Sequence, residues 1–123
     1  MLRISWLIIL GLLTNASFAI GKQKVVIVNP HENPRVAYGV GVLQNNLRTA
    51  GYPVSVIAKV TSNKREETRI LINKDFVTGI KKEGFSIQSD ENIIRISAAD
   101  PSGVLYACLE LVDLVKTNKI LPQ

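Results

Sequence analysis

The sequence of 123 residues predicts an α+β fold, a two-layer sandwich in which a mixed, mostly antiparallel sheet carries two helices on one face. Two segments repeat apolar residues at helical spacing, and each begins with a cap residue followed by proline. Short runs of β-branched residues, bounded by turn residues, lie around these segments and predict strands. The resulting order of elements is β-α-β-β-β-β-α. Packing both helices on one face of the sheet buries both apolar surfaces against a single core.

The first strand and the first helix are predicted from residues 24–51. Residues 24–29 predict a buried strand, because the four central residues, 25–28, are β-branched and apolar. Asn33 is a good helix N-cap, and Pro34 suits the first helical position. Gly51 is placed to end the helix in a left-handed conformation. Helical spacing then assigns one apolar stripe to Val36, Val40, Leu43, Leu47 and Ala50.

The middle of the chain predicts two further strands separated by a polar loop. Residues 52–60 alternate apolar and polar side chains, which indicates a half-buried strand. Residues 61–68 are polar or charged throughout and predict an exposed loop. Residues 69–72 form a short apolar strand. Residues 73–82 carry no clear period, and we expect a loop with a helical turn near residues 76–80.

The last third of the chain predicts a hairpin followed by a helix. Residues 84–88 and 92–97 are the two strands of the hairpin, with turn residues 89–91 between them. Asp100 is placed as N-cap of the last helix and Pro101 as its first residue. The apolar face of this helix is formed by Val104, Leu105, Cys108, Leu111, Val112 and Val115.

Residues 1–19 have the pattern of a cleaved signal peptide, which leaves residues 20–123 as the mature domain. Arg3 supplies a basic start, residues 4–13 are almost wholly apolar, and Ser17-Phe18-Ala19 is a small-x-small cleavage signal. The apolar run is shorter than the roughly 20 residues that span a bilayer. We therefore expect a periplasmic or secreted protein with no membrane attachment after cleavage. An uncleaved anchor is the alternative.

The charge distribution argues against binding to nucleic acid. The chain has 15 basic and 10 acidic residues, for a formal net charge of +5. A nucleic-acid site needs basic residues concentrated on one side, often with aromatic residues between them. Here they are scattered, and the two denser pairs, Lys64-Arg65 and Lys81-Lys82, have acidic neighbours.

Three features that can carry chemistry have simpler structural interpretations. Gly39 and Gly41 lie inside the first helix, whereas a dinucleotide loop needs glycines directly after a strand, so they indicate close helix packing. His31 is the only histidine and lies in an exposed loop without a second ligand, which is insufficient for a metal site. Cys108 is the only cysteine, so no intrachain disulfide forms, and its helical position predicts a buried thiol.

The acidic pairs do not form a glycosidase site in the sequence. Glu66-Glu67 and Asp90-Glu91 are adjacent residues in predicted turns or loops. Hydrolysis of a glycosidic bond needs two carboxylates several ångströms apart, on either side of the bond. The sequence therefore predicts no catalytic residue, no cofactor and no metal site.

The order of motifs along the chain resembles that of a known domain. The motifs are residues 25–28, 43–47, 51–52, 69–72, 83–87 and 94–111. In the last, a strand leads through Asp100-Pro101-Ser102-Gly103 into a helix that carries Tyr106. This arrangement is similar to the non-catalytic N-terminal domain of glycoside hydrolases of the α-glucuronidase and β-N-acetylhexosaminidase type. Ala107 departs from the pattern, since such families often have glycine after the tyrosine.

The resemblance implies a partner and an interface. In such enzymes the domain precedes a (β/α)8 barrel that holds the active site and packs against it. The sequence ends at residues 121–123, where the barrel would begin, so we expect a truncated or orphan accessory domain whose partner is the missing barrel. Asp100, Gly103 and Tyr106 are the candidate interface residues. Their purely local interpretation is a cap, a tight turn and a core aromatic residue.

A stand-alone secreted module that binds glycan or protein is the alternative function. Glycan sites commonly use aromatic side chains as platforms. The mature chain offers few of these, namely Tyr38, Tyr52, Phe76, Phe85 and Tyr106.

Overall fold

The computed structural model of the chain describes residues 22–61, 66–118 and 121. Within these residues five strands and two helices follow the predicted order. Their bounds are β1 Val25–Val28, α1 Pro34–Thr49, β2 Val54–Ile57, β3 Thr68–Ile72, β4 Phe85–Asp90, β5 Ile93–Ala98 and α2 Pro101–Asn118. The predicted signal peptide, residues 1–19, lies outside the described residues.

Helix α1 begins and ends at the predicted residues. The Asn33 side chain accepts hydrogen bonds from the backbone N–H groups of Arg35 and Val36, at 2.9 and 3.4 Å, so it caps the first turn. At the other end Gly51 adopts a φ of +98°, and its N–H donates to the carbonyl of Arg48. The N–H of Tyr52 donates to the carbonyl of Leu47, which completes a Schellman motif.

The sheet is mixed, as predicted, but it is mostly parallel rather than mostly antiparallel. Its strand order is β2-β1-β3-β5-β4. The pairs β1–β2, β1–β3 and β3–β5 are parallel, and β4–β5 is the antiparallel pair. A two-residue turn joins only antiparallel strands, whereas parallel strands need a long crossover. Helix α1 is such a crossover between β1 and β2, so the prediction of a mostly antiparallel sheet was wrong.

The predicted hairpin is confirmed, with a shorter turn than expected. Strand β4 continues through Ser89 to Asp90, which pairs with Ile93. Glu91 and Asn92 alone form the turn, and Glu91 has a φ of +51°. A left-handed conformation in a two-residue turn matches the twist of the two strands.

Both helices cover the same face of the sheet, and the core lies between the two layers. The strand residues on this face alternate with residues of the opposite face, as a pleated sheet requires. The strands contribute Val25, Ile27, Ile70, Ile72, Ile94, Ile96 and Ala98 to the core. The helices contribute Val36, Val40, Leu43, Leu47, Val104, Ala107, Cys108, Leu111, Val112 and Val115. Among the described residues, no helix combines the length and apolarity needed to cross a membrane.

The opposite face of the sheet carries no helix among the described residues, but it has a hollow beside β1. Val26 and Val28 of β1 point to this open face, yet they are 6% and 7% exposed. They share a hollow with Val60 and Glu67, which flank residues 62–65 on either side. Glu67 also lies 3.9 Å from the ammonium of Lys24. Val60 and Glu67, on the described ends of the connection from β2 to β3, therefore line the open face beside β1.

The segment between β3 and β4 is a loop, and the helical turn predicted near residues 76–80 is absent from it. The carbonyl of Ala98 accepts a hydrogen bond from the N–H of Val77 at 2.8 Å, and that of Ile96 accepts one from Asn73 at 3.0 Å. These bonds hold the loop against the end of β5. Gly79 adopts a φ of +92° and Glu83 a φ of +63°, which are turn rather than helix conformations.

Candidate interdomain surface

The side chain of Asp100 connects the start of α2 to the loop before β4. Its Oδ1 accepts from the N–H of Gly103 at 2.8 Å, which is the predicted capping bond. Its Oδ2 accepts from the N–H of Glu83, also at 2.8 Å. These two backbone donors, Glu83 first, hold the pKa of the carboxyl below its ordinary value of 3.8. The carboxylate therefore stabilises both the helix start and the left-handed conformation of Glu83.

Gly103 lies where α2 and this loop approach most closely. A Cβ atom at this position would collide with the backbone carbonyl oxygen of Gly84 and would lie 3.0 Å from the Cβ of Ala98. No real Cβ tolerates such a contact with backbone, so only glycine fits. Asp100 thus caps the helix, and Gly103 allows α2 and the loop before β4 to approach closely.

Tyr106 does not share the surroundings of Asp100 and Gly103. Its side chain is 43% exposed, whereas Gly103 is buried against the loop. Tyr106 is therefore not a core aromatic residue, which was the local interpretation of this position in the sequence. The three candidate interface residues divide into two that hold the fold together and one that faces outward.

Apolar and aromatic residues lie on the outer side of the helix pair, next to the charged side chain of Arg35. Tyr38 of α1 is 66% exposed. Leu105 of α2 lines the same hollow as Tyr38. Val42 and Leu109 follow these residues by one helical turn and are half-buried. We call Tyr38, Val42, Leu105, Tyr106 and Leu109 the outer helical surface.

A polar contact joins the two helices at the start of this surface. Nη1 of Arg35 donates to Oγ of Ser102 at 2.6 Å, across 67 positions of sequence. Ser102 is only 6% exposed, so the bond also satisfies a buried hydroxyl. Sequence analysis missed this pair, because no local pattern relates two residues that meet only when both helices pack side by side.

Close helix packing was predicted at Gly39 and Gly41, and the structure shows it at Gly39 but not at Gly41. A Cβ at Gly39 would lie 3.1 Å from Leu105 and 3.4 Å from the Cβ of Cys108, so Gly39 allows close helix packing. At Gly41 a Cβ would meet nothing within 4 Å, and the packing interpretation is wrong there. Cys108 is fully buried, as predicted, and burial raises the pKa of its thiol to about 12.

His31 lies in the loop after β1, as predicted, but it is half-buried rather than fully exposed. Its ring stacks on Phe76, with centroids 4.9 Å apart and an angle of 12° between the planes. Its Nε2 donates to the carbonyl of Asn73 at 2.8 Å. His31 therefore holds the loop after β3 against the loop after β1. Within the described residues, no group of three or more His, Cys, Asp or Glu side chains is arranged to hold a metal ion.

The fold is similar to part of a much larger enzyme. A GH138 enzyme targeting pectin rhamnogalacturonan II is one of 14 chains of solved structures that match. The TM-score is 0.64 with 24% sequence identity, and the match covers 79% of this chain. The same match covers 14% of the GH138 enzyme, so this chain spans a small part of the length of that relative. A comparison with curated proteins gives no match.

The family comparison covers nearly all of the chain. Residues 12–123 match the family model described as glycosyl hydrolase family 20, domain 2. This result confirms the resemblance to the non-catalytic domain of glycoside hydrolases that the motifs indicated. The chain belongs to the glycosyl hydrolase family 20, domain 2 family.

Proposed function

We propose that this chain is an exported, non-catalytic accessory domain of a carbohydrate-degrading glycoside hydrolase. Its role is to pack against a catalytic (β/α)8 barrel through the outer helical surface. The observation that carries the proposal is the exposure of two tyrosines, Tyr38 and Tyr106, on neighbouring helices of a domain from a glycoside hydrolase family.

The composition of the outer helical surface supports a protein partner. Its five members are apolar or aromatic and carry no charge. Large exposed aromatic side chains provide contact area with little loss of conformational freedom, and tyrosine also offers a hydroxyl to the edge of an interface. Interfaces between domains of one chain bury roughly 600–1,500 Å² and are more polar than permanent ones. Half-buried aliphatic residues with two exposed tyrosines suit an interface of this kind.

The relation to longer proteins supports a barrel as the partner. A family 20 domain 2 is by its description one part of a glycosyl hydrolase, and the chain matches 14% of the GH138 enzyme. The resemblance of the motifs to β-N-acetylhexosaminidases implies that the neighbouring part is a (β/α)8 barrel with the active site. We infer that the chain is the accessory domain of such an enzyme.

The export part of the proposal rests on residues 1–19 alone. Their basic start, apolar run and Ser17-Phe18-Ala19 signal predict cleavage before Ile20 and a periplasmic or secreted mature protein. Sequencing of the amino terminus of the mature protein tests it. A protein that starts upstream of Ile20 would contradict cleavage at this signal.

A binding experiment tests the docking surface. The mature chain is titrated onto a (β/α)8 barrel from a family 20 glycoside hydrolase that has been prepared without its own domain 2. We expect binding that Tyr38→Lys and Tyr106→Lys each weaken by roughly 30-fold or more, as for aromatic residues central to an interface. Gln88→Lys, on the exposed outer strand of the open face, is the matched control and should change the affinity by less than about twofold.

Three results would overturn parts of this assignment. Equal loss of binding in the Gln88→Lys control would place the barrel on the sheet instead of the helices. Absence of binding by the wild-type chain, together with retention of a defined oligosaccharide on a glycan array, would favour the glycan-binding alternative. Hydrolysis of aryl glycosides by the purified chain at enzyme-like rates would contradict its non-catalytic role.

A further inference from the structure

The two ends of the described chain meet at one side chain, Tyr52. This residue directly follows the glycine that ends α1, and its ring packs against the core. The N–H of Leu121 donates to the Tyr52 hydroxyl at 3.1 Å, across 69 positions of sequence. The ammonium of Lys22 lies 4.7 Å from the centre of the Tyr52 ring. We call Lys22, Tyr52 and Leu121 the chain-end junction.

Lys22 is held by two interactions of different kinds. The cation lies over the aromatic face of Tyr52, which is attractive because the face of the ring is electronegative. Its Nζ also donates to the carbonyl of Ala50 at 2.7 Å. This carbonyl lies at the carboxyl end of α1, where the helix dipole favours a positive charge. The chain before β1 is therefore held at the end of α1.

Leu121 is held by both its side chain and its backbone. The side chain is 6% exposed and belongs to the hydrophobic core. The backbone N–H has the Tyr52 hydroxyl as its acceptor. Because the side chain is buried among apolar groups and the backbone is bonded to an aromatic hydroxyl, the direction of the chain at Leu121 is restricted in two independent ways.

The position of the junction relates it to the outer helical surface. Both helices begin at the carboxyl ends of the parallel strands, and both run back toward the amino ends of those strands. The Arg35–Ser102 contact marks the start of the helix pair, and the junction lies at its other end. A polypeptide that leaves the domain after Leu121 thus starts at the end of the helix pair opposite to the Arg35–Ser102 contact.

We propose that Tyr52 is a positioning residue that fixes the direction in which the chain leaves this domain after Leu121. Its hydroxyl orients the outgoing backbone and its ring orients Lys22, so that both ends of the domain are set at one corner. Given the proposed function, this sets the angle at which the catalytic domain is joined, in place of a flexible linker.

Hydrogen exchange measures the junction in the chain itself. In wild type we expect the Leu121 amide to be protected, and in Tyr52→Phe to exchange at least about fivefold faster, which corresponds to the loss of one typical hydrogen bond. The variant keeps the ring, so amides of the core should change by less than about twofold. Tyr106→Phe removes the same hydroxyl from an exposed tyrosine and is the matched control, with no change at Leu121.

Paramagnetic broadening tests the direction of the outgoing chain. A nitroxide is attached to a Gln123→Cys variant, where Cys108 does not compete because its buried thiol has its pKa raised to about 12. In wild type we expect the nitroxide to broaden only the NMR signals of amides near the junction, such as those of Lys22 and Gly51. With Tyr52→Phe added, the broadening should become weaker there and extend over more of the surface.

The outcomes separate this proposal from the proposed function. A Leu121 amide unprotected in wild type, or equally protected in Tyr52→Phe, would overturn the role of the hydroxyl. An identical broadening pattern in both proteins would overturn the fixed direction. Neither measurement requires a catalytic domain, so a failure to bind a barrel leaves these results valid. Should Tyr52→Phe unfold, Lys22→Met provides the second variant, and it should mobilise the segment before β1 while leaving the Leu121 amide protected.

Discussion

The two faces of the sheet differ in what covers them, and this difference shows how the domain divides its surfaces. On the face covered by helices, Ile27, Ile70 and Ile94 form a row across β1, β3 and β5, and all three are fully buried. On the open face, the adjacent row places Val28, Leu71 and Arg95 side by side, and Arg95 is exposed. One face makes the core, and on the other face Val60 and Glu67 line a hollow beside β1.

The two outer surfaces of the domain also differ in composition. Strands β4 and β5 present Ser86, Gln88 and Arg95 on the open face, and all three are exposed polar or charged residues. The outer helical surface is made of apolar and aromatic residues, two of them exposed tyrosines, with the charged Arg35 beside it. Charged residues are depleted in the centre of protein interfaces and aromatic residues are enriched there. The composition of the outer helical surface is therefore closer to that of an interface than the composition of the open face is.

The largest expected difference between the two faces is in stability. Ile70→Ala removes a fully buried side chain from the centre of the sheet and should lower the free energy of unfolding by about 2–5 kcal/mol. Arg95→Ala, on the neighbouring strand and the opposite face, should change it by about 0.5 kcal/mol or less. Urea denaturation of both variants measures the contrast. If both variants lost similar amounts of stability, side chains of the open face would contribute as much to the free energy of unfolding as those of the covered face.

A smaller effect distinguishes the inner and outer sides of the helical layer. Gly103→Ala places a methyl group against the carbonyl of Gly84 and should destabilise the domain by about 1–3 kcal/mol. Gly41→Ala adds the same methyl group where nothing lies within 4 Å. It should stabilise the domain by up to about 1 kcal/mol, because alanine is the better helix former. Thermal unfolding compares the pair, and a stabilised Gly103→Ala variant would refute the close approach of α2 to the loop before β4.

The subtlest effect is the pH dependence of the contact between α2 and the loop before β4. Because two backbone donors lower the pKa of Asp100 in the folded state, its carboxylate stabilises the fold fully above the ordinary value of 3.8. That stabilisation is lost as the pH falls through the lowered folded-state pKa. Asp100→Asn should thus be less stable than wild type at neutral pH, and the gap should narrow on acidification below 3.8.

Denaturation curves of both proteins at several pH values measure this gap. Asp113→Asn, which removes an exposed carboxylate from the same helix, controls for the change in net charge and should not reproduce the narrowing. A gap that stays constant with pH would show that the ionised form of Asp100 has no special role in the folded protein.

Local sequence signals predicted the helices better than any other part of the fold. The cap at Asn33, the proline at position 34 and the glycine at position 51 define α1, and each acts on atoms within a few residues of itself. Asp100 and Pro101 do the same for α2. Such interactions are nearly independent of the rest of the molecule, so they can be inferred before the fold is known.

Strand direction could not be inferred in the same way. The sequence identifies apolar runs, but β1, β2 and β3 look alike in either orientation. Their parallel pairing depends on α1 as a crossover and on the connection from β2 to β3. The surroundings of His31 could not be inferred either, because its ring stacks on Phe76, which lies far along the chain.

For the candidate surface, the sequence alone determined its family, its helices and the local roles of Asp100 and Gly103. Only the tertiary structure decided that Tyr38 and Tyr106 are both exposed, and that Tyr52 contacts both Lys22 and Leu121. Capping and helical spacing arise from forces between near neighbours along the chain. The exposure of a side chain and the contacts between distant residues depend on which distant segments pack together. That packing is determined by burial of the whole core.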